Sequence, residues 1–279
     1  MSAEPSERSQ MLAGIFSQAA ATYDSVGVPW FRPIAERLVR ELAPTSGERA
    51  LDIGSGRGAA LFPLAEAVGP TGHVTGIDLA DGMVAALMAD VQARNLSNVD
   101  VLVQDAAHPR FRPASFDVIA SSLVLFFLPD PAAALLRWYE LLVPGGRLGV
   151  SSLGPKDANF HAVDEVFTPH LPQPMLDARA SGTAGPFASD AGMEQLLTAA
   201  GFTDVRTVNL EIAAVFRDAD HWVEWSWTHG QRLMWSAVPE DRHTGVKAEI
   251  ARVLEPARDE AGTITLRHQI RYTLARTAP

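Results

Sequence analysis

Three glycines, three acids and a few histidines carry the chemistry that can be read from this chain. Gly54-Ser55-Gly56-Arg57-Gly58 sets glycine at every second position, directly after the apolar run Ala50-Leu51-Asp52-Ile53. Residues 59–65 continue with helical spacing, so the order predicts strand, tight turn and helix. A turn free of side chains lets the backbone approach a ligand, and the first free N–H groups of the following helix face it. Carboxylates recur at the ends of the next apolar runs. Asp78 closes residues 73–77, Asp105 follows residues 99–104, and Asp52 stands two positions before the first glycine. Such acids suit a diol and N–H donors and would repel an approaching pyrophosphate.

A second set of reactive side chains lies in the C-terminal half. His161, His170 and His229 are candidate bases, with Glu224 as a carboxylate alternative. His229 ranks first because it shares a stretch with Trp222, Trp225, Trp227 and Trp235, four of the six tryptophans. On one helix Trp222 and Trp225 would share a face with His229, and Trp227 would point elsewhere. Those rings serve either as anchors of a helix on the sheet or as an aromatic wall for a flat, lipophilic ligand. Arg179, Arg217, Arg232 and Arg242 could grip a carboxylate or diphosphate if they converge; scattered, they read as surface ion pairs. The histidines make no HxH, HxxxH or HExxH pattern, so no metal site is expected.

The elements that must hold these groups follow from periodicity. Strands are predicted at residues 50–53, 73–78, 99–104, 116–122, 147–153, 205–212 and 264–275. Helices are predicted at 11–24, 33–42, 81–95, 131–142, 189–200, 218–236 and 239–258. Asp81 is a plausible cap for its helix, and Pro131 opens another. Residues 154–186 are proline-rich, with one short helical stretch near 159–167, and read as an insertion over the site.

This ordered set resembles the class I S-adenosylmethionine (SAM)-dependent methyltransferases. It is closest to the ubiquinone/menaquinone-biosynthesis type (methyltransferase type 11) and its relatives that tailor natural products. The resemblance implies an α/β fold: a Rossmann-like, doubly wound seven-stranded sheet with an antiparallel final hairpin and a helical cap. It implies one domain over residues 1–279, with a cofactor-binding core at about 45–153 and cap elements at 1–44, 154–188 and 218–258. It implies that Asp52, Gly54, Ser55, Gly56 and Gly58 hold the methionine end of SAM, and that Asp78 binds the ribose hydroxyls. Leu79 and Met83 would lie beside the adenine, Asp105 and Ala106 at its amino edge, and Ser121 and Ser122 near the sulfonium. Tyr23, in a segment resembling one that closes over SAM, could place its ring against that cation.

The expected activity is methyl transfer from SAM to the O, C or N of a small lipophilic or aromatic acceptor, natural-product or quinone-like. One alternative is C-methylation of an isoprenoid diphosphate. Two others come from different classes: a SAM-fold protein that transfers nothing, and an NAD-dependent oxidoreductase, since the loop with Ala59 last also fits the looser dinucleotide fingerprint.

Composition narrows the field. The 279 residues carry a net charge of −10 and 47% hydrophobic residues, which suits a globular enzyme and disfavours a nucleic-acid partner. The absence of cysteine excludes disulfides and a thiol nucleophile. The N-terminus lacks the features of a signal peptide, and the longest apolar run, near 118–128, is too short for a bilayer. A cytoplasmic protein without membrane insertion is expected, and a homodimer is compatible with the sequence.

Overall fold

The computed structural model describes residues 5–173, 175–177 and 182–279. Seven strands form one sheet: β1 (Arg49–Ile53), β2 (His73–Asp78), β3 (Val99–Val103), β4 (Phe116–Ser122), β5 (Leu142–Lys156), β6 (Thr203–Phe216) and β7 (Ile264–Arg276). Their order is β3-β2-β1-β4-β5-β7-β6. The first five run parallel, and β7 lies antiparallel between β5 and β6. The order reverses between β1 and β4, so a crevice opens at the carboxyl ends of those strands, where open α/β sheets bind ligands.

Alternation along the strands sends neighbours to opposite faces. Ala50 joins the core beneath α2 (Phe31–Leu42), α3 (Leu61–Val68) and α4 (Asp81–Ala93), while Leu51 and Ile53 join the core beneath α5 (Pro131–Leu141) and α7 (Asp190–Ala199). The helices obey their sequence signals. Ile34, Ala35, Leu38, Val39 and Leu42 bury one stripe of α2. Asp130 caps α5 by accepting from Ala133 N, with Pro131 in its first turn, and Ser189 caps α7 through Gly192 N.

Several boundaries differ from the sequence-based expectation. The first helix, α1 (Glu7–Ala19), begins and ends earlier, and Ser6 caps it. Asp81 is not the cap of α4. Ala80 holds that position, and the Asp81 carboxylate instead accepts from the Ser17 hydroxyl at 2.7 Å, which docks α1 on α4. β5 continues through Lys156, so the first residues of the expected insertion belong to the sheet, ahead of α6 (Ala158–Phe167). β6 is also longer at both ends than expected.

The aromatic stretch 218–236 is not one helix. It divides into α8 (Ala219–Ser226) and α9 (Arg232–Ala237), with Trp227, Thr228, His229, Gly230 and Gln231 in the turn between them. Beyond it, α10 (His243–Leu254) is flanked by short tight turns of helix.

Candidate active site

The glycine loop after β1 is pinned before any ligand arrives. Gly54 N and Ser55 N both donate to the Ile77 carbonyl, at 2.8 and 2.9 Å. Gly56 N donates to one Asp78 oxygen at 2.8 Å, and Ala80 N to the other at 2.9 Å. Glycine is required at Gly54 twice over: φ is +74°, and a Cβ there would lie 2.3 Å from Val124 Cγ2. At Gly56 a Cβ would meet nothing within 4 Å, because the backbone faces open space.

That space is a cavity of about 330 Å³. Gly54, Gly56, Asp78, Leu79, Met83, Asp105, Ala106, Ser122 and Tyr23 all line it. The acids at the ends of β2 and β3 therefore share one cleft. Asp105 is held by the Ala107 N–H at 2.9 Å, and the Ala106 carbonyl by Trp138 Nε1 at 2.8 Å. Asp52, Ser55, Gly58 and Ser121 are not on the cavity wall. Asp52 lies beneath the loop at 1% exposure. Ser55 and Ser121 are buried, with hydroxyls that find no hydrogen-bond partner among the described residues. Gly58 turns toward Phe62 and Leu87.

Burial sets the electrostatics. It pushes the Asp52 carboxyl up to about 8, helped by the negative charge of Asp78, while the Leu61 N–H pulls the other way. Burial also raises Asp78, against three backbone N–H groups. Asp52 Oδ2 has no partner among the described residues. Two crowded acids with an unmatched oxygen make the floor of this cleft attractive to a cation. Tyr23, whose ring centroid lies 4.9 Å from that of Phe31, has its hydroxyl raised by burial and by Asp24 and Asp78.

The other part of the cavity is aromatic. Trp30, Phe31, Phe160 and Trp225 line it, together with the polar side chains of Lys156, His229, Gln231 and His268. His229 Nδ1 lies 2.9 Å from the Trp225 carbonyl. A carbonyl only accepts, so Nδ1 carries the hydrogen and Nε2 the lone pair. Burial holds this imidazole down to about 4.

The other expected bases lie elsewhere. His161 and Glu224 are exposed and off the cavity wall, Glu224 pairing with Arg217 at 3.7 Å, and His170 lies outside the wall too. A helix puts only one face toward its support, and these two side chains sit on the outer faces of α6 and α8. Among the described residues Arg217, Arg232 and Arg242 do not line the cavity, so they do not form the converging cluster that would favour a diphosphate acceptor. Arg179 lies outside the described residues. Of the four tryptophans in the 222–235 stretch, Trp225 reaches the cavity, its ring 4.2 Å from His229. Trp222 packs near Phe167, and Trp227 stacks on Trp235 at 5.3 Å.

Sequence reasoning missed Trp30, Phe31, Lys156, Phe160, Gln231 and His268. The alternation of β7 does place His268 on one face, but nothing in it says that this face meets a ligand.

A family described as "Methyltransferase domain" matches residues 51–150. Over 279 aligned residues, taking in 95% of this chain and 98% of the relative, the chain is 37% identical to nocamycin O-methyltransferase of Saccharothrix syringae. The protein belongs to the class I SAM-dependent methyltransferases of the natural-product tailoring type. A second methyltransferase relative, aklanonic acid methyltransferase DauC of Streptomyces sp. (strain C5), is 43% identical over 162 residues, 58% of this chain and 74% of that one. The crystal structure of the [4+2]-cyclase SpnF superposes with a TM-score of 0.56 over all of this chain and 98% of its own, at 18% identity, and so shares the fold alone.

This methyltransferase uses SAM, which sets the NAD alternative aside. The residues present fit that cosubstrate. Its diol would suit Asp78, its cation would suit the crowded acids, and it has no phosphate to be repelled. Among the described residues no helix is long and apolar enough to cross a membrane.

Proposed function

We propose that this methyltransferase methylates an oxygen of a small, flat aromatic natural-product acceptor, with His229 as the base. One observation carries the reading: His229, whose Nδ1 is committed to the Trp225 carbonyl, lines the same cavity as Asp78 and Gly56, among its aromatic residues. Asp78 would bind the ribose diol, Asp105 and Ala106 the adenine edge, and the Gly54–Gly58 loop with Asp52 beneath it the methionine end. SAM supplies an electrophilic methyl group on a sulfonium. The chain's own part is to position the acceptor oxygen, exclude water with Phe16, Trp30, Phe31 and Trp225, and take the acceptor's proton on His229 Nε2. Oxygen is favoured because the relative aligned over nearly the whole chain is named an O-methyltransferase.

In this reading the described residues of 1–44, 157–188 and 218–258 form the cap over a core at 45–153, with 154–156 belonging to β5. Each contributes to the cavity wall: Phe16, Trp30 and Phe31 from the first, Phe160 from the second, Trp225 and His229 from the third. A cytoplasmic setting, a small-molecule rather than nucleic-acid acceptor, and a homodimeric option belong to the same proposal.

The test uses SAM labelled in its methyl group and a panel of hydroxyanthraquinones and phenolic acids, with products located by mass spectrometry. Label on oxygen supports the proposal. Label on carbon or nitrogen overturns the choice of atom. SAM binding without transfer across the panel would favour a non-transferring protein, a function compatible with a fold that a cyclase shares.

A further inference from the structure

Lys156 and His268 stand opposite each other on the antiparallel β5–β7 ladder, and both line the cavity. Opposed residues of such a pair project from the same face with Cβ atoms ~5 Å apart. Lys156 is the only Lys or Arg among the described residues on the cavity wall. Its ammonium is paired with Asp164 of α6, a carboxylate 2% exposed that also accepts from Gln231 Nε2 at 3.1 Å. An ammonium has three N–H donors, so the ion pair leaves donors for a ligand.

His268 is fixed in a complementary sense. Its Nε2 lies 2.9 Å from the Gly154 carbonyl, so that nitrogen donates and Nδ1 keeps its lone pair. Burial, and next the charge of Lys156, hold the imidazole down to about 4, so it is neutral near pH 7. Trp30 and Phe160 flank its ring at centroid distances of 5.9 and 5.4 Å.

A donor on one residue and a lone pair on the residue opposite it, both lining one cavity, match one group that accepts and donates through the same atom. We infer that the Lys156–His268 pair reads a free phenolic or enolic hydroxyl on the acceptor, whose O–H donates to His268 Nδ1 while its oxygen accepts from Lys156 Nζ. A carboxylate has only lone pairs to offer and would set one against Nδ1. A methyl ether has no proton to give. The ring bearing the hydroxyl lies among Trp30, Phe160 and Trp225. The inference rests on the proposed function for the claim that this end of the cavity holds the acceptor.

The test reads binding and not turnover. Protein saturated with S-adenosylhomocysteine is titrated with 2-hydroxyanthraquinone, 2-methoxyanthraquinone and anthraquinone-2-carboxylate, following quenching of tryptophan fluorescence at a pH where the phenol keeps its proton. The hydroxyl probe is expected to bind about tenfold more tightly than either of the others. That advantage is expected to vanish in Lys156→Met combined with Asp164→Asn, a pair of changes that strands no buried charge, and to persist in Lys156→Arg. Equal affinity for the three probes in the unaltered protein overturns the inference, whatever the variants do. So does a hydroxyl preference that survives the double change, or a hydroxyl probe that does not bind saturably. These outcomes leave methyl transfer standing, because that reading fails on SAM binding and transfer alone.

Discussion

The guanidinium of Arg57 donates to the backbone carbonyl of Ala20 at 2.6 Å. Its other terminal nitrogen reaches Asp90 of α4, also at 2.6 Å. A side chain of the glycine loop thus ties down the segment that carries Tyr23. Arg57→Ala should release residues 5–28 from the loop, seen as faster limited proteolysis there, and weaken S-adenosylhomocysteine about tenfold through loss of two charge-assisted hydrogen bonds that order the site. Wild-type cleavage rates and affinity would show the tether to be idle.

Asp78 holds the loop through Gly56 N and, in the proposed binding mode, would also meet the ribose. Asp78→Ala should weaken SAM by about 1–3 kcal/mol, measured calorimetrically. Unchanged affinity would mean that the ribose lies elsewhere.

Asp52 is expected to link cosubstrate binding to protons. Its carboxyl sits at about 8 when folded, against 3.8 for the free group. The folded chain therefore keeps a proton that the unfolded chain loses, and the stability this provides is full below pH 3.8 and is lost as pH rises toward 8. A cation above the acid floor draws that proton off. Calorimetry in buffers of different ionisation enthalpy should show proton release on SAM binding, and affinity should rise with pH up to about 8. Asp52→Asn should abolish the release; identical release in that variant would assign the proton to another group.

His229 and His268 act in the opposite sense. Both are held at about 4, below the ordinary 6.5. The unfolded chain gains their protons first, so stability is lost as pH falls from 6.5 to about 4. Each tenfold weakening of a ring's proton affinity on folding makes that loss larger by about 1.4 kcal/mol. Thermal melts should show the loss, and it should be shallower in His268→Phe. For catalysis, His229→Gln should lower kcat about 10²–10⁴-fold with SAM affinity intact. A variant with wild-type turnover would return the ring to packing.

Gly54 and Val124 must share their space. Gly54→Ala should cost about 1–3 kcal/mol from overpacking, read as a lower melting temperature. Val124→Ala added to it should recover part of the loss and leave the part due to φ +74°. No recovery would place the clash elsewhere.

The convergence of Gly54, Gly56, Asp78 and Asp105 on one cavity was legible because its determinants are local. A glycine loop, and an acid where an apolar run stops, are set by a few neighbouring residues. The aromatic end was not. Lys156 enters the cavity because β5 runs three residues beyond its expected end, and His268 because β7 pairs with that extension. Register between strands more than a hundred residues apart leaves no trace in either run. His229 was found for a partly mistaken reason. The helix expected to carry it breaks at residues 227–231, and it is the turn around Gly230, with the Trp225 carbonyl, that orients the ring.

The overhang of β5 and β7 past the parallel strands carries Lys156 and His268 on elements separate from β1, β2 and the bend that follows β1. Under the proposed function, redesign for a new methyl recipient should therefore begin at positions 156 and 268, with Asp164 changed alongside Lys156 and the donor's seat left untouched.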